Sequence, residues 1–144
     1  NGISFTSNNS YMFFSDTPKK QIFMCKPPDS LIKINYRMSL GDENSTRAPD
    51  GSTVDIENNY YSCLYGGYGI DVFSTNNANL SYKYTIDTFR KNNTCCCFGG
   101  INMDKLMITS AINPDNPKDD GSTIIKDTNT VGLKEHPINL NFTN

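Results

Sequence analysis

Apolar residues fall at every second position through long stretches of this chain, and that period commits a segment to the extended strand, whose side chains alternate between two faces. Ile32, Ile34, Tyr36 and Met38 share one side while Lys33, Asn35 and Arg37 take the other. Leu80, Tyr82, Tyr84 and Ile86 alternate in the same way with Ser81, Lys83 and Thr85, and Ile138, Leu140 and Phe142 with Asn139, Asn141 and Thr143. Shorter segments of similar character cover 3–5, 11–14, 22–25, 53–56, 60–64, 70–73, 94–98, 106–111 and 123–125. The total is about a dozen short strands.

Residues suited to fixed or positive φ break these segments: Pro27-Pro28-Asp29, Gly41-Asp42, Pro49-Asp50-Gly51, Gly66-Gly67, Asn76-Asn77, Gly99-Gly100 and the stretch 113–121. Helix has little room. Only Ile101 to Met107 offers a turn or two, with Asn102 as N-cap, and a strand through 106–111 competes for the same residues. Eight Tyr and eight Phe, with no Trp, supply the bulk of a core. The expectation is one domain over 1–144, all-β, an antiparallel β-sandwich of jelly-roll or Greek-key type with little or no helix. The pentapeptide Asp50 to Val54 returns as Asp120 to Ile124, but an Asp-Gly turn feeding a strand is a common local solution and carries no duplication by itself.

At 144 residues the chain is long enough to bury a core without covalent staples. Its five cysteines are therefore optional for folding. Three stand together at Cys95, Cys96 and Cys97, and an odd total leaves one thiol unpaired within the chain. An extended segment over 94–98 puts Cys95 and Cys97 on one face and Cys96 on the other. Cys25, Cys63, Cys95 and Cys97 are then the disulfide candidates, and Cys96 the outward, unpaired or intermolecular thiol. No pair of Cys-X2-4-Cys knuckles is present for zinc. Two acidic loops, one with Asp42, Glu43, Asn44 and Asp50 and one with Asp115, Asn116, Asp119 and Asp120, offer oxygens but follow no calcium-loop spacing and read as plain connections. No metal or cofactor is expected.

Thirteen Lys and Arg against fifteen Asp and Glu give a net charge of −2, which offers no field for nucleic acid. No apolar run approaches the roughly 20 residues of a membrane span. The surface is instead rich in amides, with 19 Asn against one Gln, and the chain opens at Asn1 without Met or leader. Together these suggest a mature protein outside the cell or on a cell or virion surface. Sequons at Asn8, Asn44, Asn79, Asn92 and Asn141 are possible glycosylation sites, although composition alone would give roughly three.

Catalytic signatures are missing: no Gly-X-Ser-X-Gly, no phosphate loop, and a single histidine, His136, read as a surface residue. No catalytic residues are assigned. The resulting expectation is a non-enzymatic extracellular structural protein, a subunit of a surface filament, coat or appendage assembled through its terminal strands and an intermolecular Cys96 disulfide with copies of itself or another surface protein. One alternative is a lectin-like adhesion module binding glycan through Tyr60, Tyr61, Tyr65 and Tyr68, since tyrosines among small residues stack on sugar rings. A second is a small secreted enzyme.

Overall fold

The computed structural model describes residues 1–26, 36–37, 46–76, 79–116, 118 and 121–134, with only the backbone described at 36, 37 and 76. Among them are β1 (Ser4–Phe5), β2 (Met12–Asp16), β3 (Gln21–Cys25), β4 (Tyr36–Arg37), β5 (Ala48–Val54), β6 (Tyr60–Tyr65), β7 (Gly69–Asn76), β8 (Asn79–Asp87), β9 (Asn92–Gly99), β10 (Lys105–Ala111) and β11 (Thr123–Asp127). No helix occurs among the described residues. The segment 101–107 turns at Gly100 (φ 85°) and Met103 (φ 55°) and enters β10, so the strand wins over the helix. The alternating segment 138–142 and most of 32–38 lie outside the described residues.

All strand pairings are antiparallel, and the all-β expectation holds at that level. The sandwich does not. The strands form three meanders in sequence order, β1-β2-β3-β4, β5-β6-β7-β8 and β9-β10-β11, each strand bonded to its neighbour in the chain. Greek keys and jelly rolls need long connections that cross between sheets, and none of these hairpins makes one. The three sheets stack side by side, with β5 packed on β9 and on β1 and β2. The second sheet therefore lies between the other two.

Two separate cores result. Between the first and second sheets lie Phe13, Ile22 and Met24 against Val54, Tyr60, Phe73 and Leu80. Between the second and third lie Tyr61, Cys63, Ile70 and Val72 against Cys96, Phe98, Leu106 and Ile108. The middle sheet is covered on both faces, so consecutive residues of β6 are buried in opposite directions. Tyr60 stacks tilted on Phe13 at 4.8 Å, while Tyr61 meets Phe98 edge-on at 5.1 Å. Burial of each such side chain contributes about 1.5–3 kcal/mol. Outer strand β8 is the opposite case: Tyr82 and Tyr84 alternate with polar residues yet both remain exposed.

The segment 128–133 straps the second and third sheets together. Ile56 N donates to Val131 O at 3.0 Å, Gly132 N to Met103 O at 2.8 Å and Leu133 N to Val54 O at 3.3 Å. Gly132 is required here, because a β-carbon would stand 2.0 Å from the Phe98 β-carbon.

Candidate functional site

Two aspartates belong to β5 and the residue after it, and their surroundings differ. Asp55, just past the strand, is fully buried. Its Oδ1 accepts from the backbone N–H of Glu57 (3.0 Å) and Asn59 (2.8 Å), and its Oδ2 from Asn59 Nδ2 (2.7 Å), Tyr61 Oη (3.0 Å) and Thr130 Oγ1 (3.1 Å). Lys83 Nζ in turn donates to Asn59 Oδ1 at 3.1 Å. This knot floors a cleft of about 380 Å³ lined by Tyr84, Asp127 and their neighbours. Burial and the adjacent Asp55 charge push the Tyr61 hydroxyl far up, so it remains a donor. A carboxylate holding five donors has no lone pair to spare for a substrate. Its task is to tie the turn 55–59 to the strap.

Asp50 lies inside β5 at a bulge. Pro49 pairs with Leu64 and Ser52 with Ser62, so Asp50 and Gly51 together oppose the single residue Cys63. Such insertions re-aim side chains and recur beside active sites. Gly51 allows the fit, because a β-carbon there would lie 2.6 Å from Thr94 O and 2.7 Å from Cys95 Cα on β9. A second irregularity faces it: Cys95 pairs with Thr109 but Asn93 with Ser110, which leaves Thr94 extra in β9. The two bulges thus meet where β5 packs on β9.

The Asp50 carboxyl is half-buried, and burial raises it above its ordinary value. Among the described residues no hydrogen-bond donor reaches it. Asn1 stands close by. Its Nδ2 donates to Thr17 Oγ1 at 2.8 Å, and Thr17 Oγ1 donates to Pro49 O at 2.8 Å. Ser52 Oγ donates to Gly2 O at 2.5 Å, and a β-carbon on Gly2 would come within 2.7 Å of Asp50 O. The corner therefore combines an unpartnered carboxyl of raised pKa with amide and hydroxyl groups, a combination common at reactive sites.

The residues singled out from sequence are placed differently from expectation. All five cysteines are free thiols. Cys25 belongs to the first sheet and Cys63 faces the third, so the proposed partners sit on different interfaces. Alternation along β9 is as expected, but its sense is reversed: Cys96 is buried in the core while Cys95 and Cys97 are exposed. The adjoining Cys96 and burial hold the Cys63 thiol well above its ordinary pKa. A buried Cys96 is not available to a neighbouring molecule. Tyr60 and Tyr61 are core residues, and only Tyr65 and Tyr68 reach solvent. Asn8 and Asn79 are exposed, whereas Asn92 is buried with Nδ2 donating to Ile112 O at 3.2 Å, leaving no room for a glycan. Asp115 pairs with Lys91 at 2.9 Å. Asn44, Asn141 and His136 lie outside the described residues.

Successive antiparallel meanders packed on one another define a class of all-β proteins built from repeated small sheets. Within it, the chain belongs to the SMP-30/gluconolactonase/LRE-like family, whose model matches residues 1–112. It is 32% identical over 112 residues to an uncharacterized protein of Sulfolobus acidocaldarius, covering 77% of this chain and 40% of that one. It is 28% identical to the Bacillus subtilis protein named "Putative sugar lactone lactonase YvrE", covering 77% and 38%. In structure it resembles a luciferin-regenerating enzyme (TM-score 0.73, 22% identity, 92% of this chain and 46% of that one). It also resembles a calcium-binding protein, regucalcin, from Agrobacterium tumefaciens (TM-score 0.71, 22% identity, 94% and 48%). The chain spans less than half the length of the relatives it matches.

Family membership overturns the expected structural subunit of a filament, coat or appendage, the expected adhesion role, and the assignment as a non-enzyme. The family takes its description from gluconolactonase, and the relatives matched include proteins named as a putative sugar lactone lactonase and a luciferin-regenerating enzyme. No disulfide joins cysteines within the chain.

Proposed function

We propose that the chain forms part of a lactone hydrolase, its three sheets contributing to a six-bladed propeller of the kind its relatives adopt, with Asp50 as general base. The observation that carries this is the unpartnered, half-buried Asp50 carboxyl in the bulge of β5. Burial without a donor raises proton affinity, which suits a group that must take and return a proton near neutral pH. Asp50 removes a proton from water as the water oxygen bonds to the lactone carbonyl carbon. The tetrahedral intermediate collapses, the ring C–O bond breaks, and the departing ring oxygen takes the proton back from Asp50. The product is the open-chain hydroxy acid. Asn1 and Thr17 are positioned to orient substrate hydroxyls.

Regucalcin's description raises the question of a cation. Asp50 and Asn1 have suitable hard oxygens, but Ca²⁺ takes about six to eight. No cluster of three or more His, Cys, Asp or Glu occurs among the described residues. These residues do not by themselves hold the ion, and no step is routed through it.

The test is hydrolysis of an aldonolactone by the full protein and by Asp50→Asn. Removing a general base should lower kcat/KM by about 10²–10⁴-fold while circular dichroism and denaturation midpoint stay unchanged. The acid limb of the wild-type profile should have its midpoint above the ordinary Asp value of about 3.9. Full activity in the variant, or no hydrolysis by folded wild-type protein, refutes the assignment.

A further inference from the structure

We propose that the cleft floored by Asp55 binds a small hydroxy acid anion, an open-chain polyhydroxy carboxylate, through Lys83 and Lys126. The cleft, about 380 Å³, opens between β8 of the second sheet and β11 of the third, a size that suits a ligand of this kind. Lys83 is brought there by a bulge: Val72 pairs with Tyr84 and Phe73 with Tyr82, so Lys83 is the extra residue of β8. Its Nζ donates to Asn59 Oδ1 at 3.1 Å, and Asn59 is itself buried and fixed by donating from Nδ2 to Asp55 Oδ2 at 2.7 Å. One ammonium donor is thus spent on a rigid floor, and two remain. Lys126 lines the cleft from β11, with Nζ over the Phe89 ring at 5.5 Å. Among the described residues neither ammonium forms an ion pair.

The rest of the lining decides the class of ligand. Glu57 and Asp127 also line the cleft; Asp127 is paired with Lys105, and Glu57 accepts from Asn59 Nδ2 at a long 3.4 Å. Two ammoniums beside two carboxylates give little net field for a bare anion such as phosphate. A hydroxy acid uses both signs: its carboxylate accepts from Lys83 and Lys126, and its hydroxyls donate to Glu57 and Asp127. Tyr84 adds a half-exposed aromatic surface for the carbon chain. A neutral lactone lacks the carboxylate, so the cleft distinguishes the open-chain acid from the ring. Asp55 follows Asp50 by five residues, roughly 15 Å of strand. The cleft is therefore separate from the proposed hydrolytic corner, and binding there does not depend on Asp50 acting as a base.

The test is isothermal titration calorimetry of the full protein with D-gluconate. Saturable binding is expected in the wild type and unchanged in Asp50→Asn, while Lys83→Met and Lys126→Met should each weaken it about tenfold or more. Sorbitol, which lacks the carboxylate, and hexanoate, which lacks the hydroxyls, should bind about tenfold more weakly still than gluconate does to the wild type, and phosphate should not compete. Gluconate should also slow acetylation of Lys83 and Lys126 by acetic anhydride, read by peptide mass. Both Met variants should keep kcat/KM for an aldonolactone within about twofold of wild type. Absence of saturable gluconate binding by folded protein, binding undiminished in the Met variants, binding lost in Asp50→Asn, or hydrolysis lost along with binding in the Met variants overturns a separate site. Phosphate or hexanoate bound as tightly as gluconate overturns the ligand class. If a Met variant does not fold, acetylation decides, and labelling that gluconate leaves unchanged overturns the site. A protein that binds gluconate through Lys83 and Lys126 yet hydrolyses no lactone removes the hydrolase reading and leaves this site standing.

Discussion

Asp50, within β5, and Asp55, just past its end, are the same residue type and have opposite fates. Asp55 is sealed from solvent with five donors on its two oxygens; Asp50 is half in solvent with no donor among the described residues. The difference lies in the strand. At Asp55 the chain closes a turn whose N–H groups point inward, whereas at Asp50 the bulge lifts the side chain off the ladder. A carboxylate that satisfies its neighbours holds structure together, and one left unsatisfied is free for chemistry.

The contrast breaks if the two residues respond alike to substitution. Asp55→Ala strands five buried donors and should lower unfolding free energy by about 3–5 kcal/mol, measured by urea denaturation; Asp50→Asn should stay within about 0.5 kcal/mol while losing activity. Gly51→Ala should cost about 1–3 kcal/mol, because the added methyl presses on the rigid backbone of β9. It should also displace Asp50 and lower kcat/KM, so an alanine accepted at no cost in either measure would mean the opposed bulges do not position the site.

A third aspartate sharpens the comparison with the smallest effect. Asp71 is fully buried and accepts one bond from Thr85 Oγ1 at 2.6 Å, while its Oδ2 has no partner and faces an equally unsatisfied Ser62 Oγ on the paired strand. Burial raises its carboxyl, with Thr85 and the Arg47 charge opposing. A folded pKa above the unfolded one means that the stability contribution is fully present below the unfolded value and lost as pH rises through the folded one. Asp71→Asn should therefore be more stable than wild type at pH 7, by about 1 kcal/mol, and the gap should close toward pH 4. A gap that widens on acidification would show that Asp71 is held as a charged acceptor.

The period-two pattern located strands well because it is a local signal: 60–64, 70–73, 94–98 and 106–111 all lie within β6, β7, β9 and β10. It does not say which face is inward or how sheets stack. Phe98 shares the parity of Cys96, and the larger side chain marks the core face; that was the available signal against an outward Cys96. The unbroken run from Tyr60 to Leu64 likewise fits a strand covered on both sides better than a surface of tyrosines. Asp50-Gly51 reads as a turn from sequence because the same residues suit turns and bulges, and only the pairing across to β6 and β9 distinguishes the two. The family resemblance lay in no motif that charge, spacing or catalytic signatures would expose.

Because each strand bonds to the strand just before or after it in the chain, no sheet waits for distant segments to find one another. A ribbon can grow by successive short reversals from its central strand, at little loop-closure cost. Only the seams between ribbons, closed by the Phe13–Tyr60 and Tyr61–Phe98 contacts and by the 128–133 strap, require long-range encounters. The corner holding Asp50 lies on such a seam, where Gly51 abuts β9, so the group assigned to chemistry is set in place by contact between ribbons and not by any one hairpin.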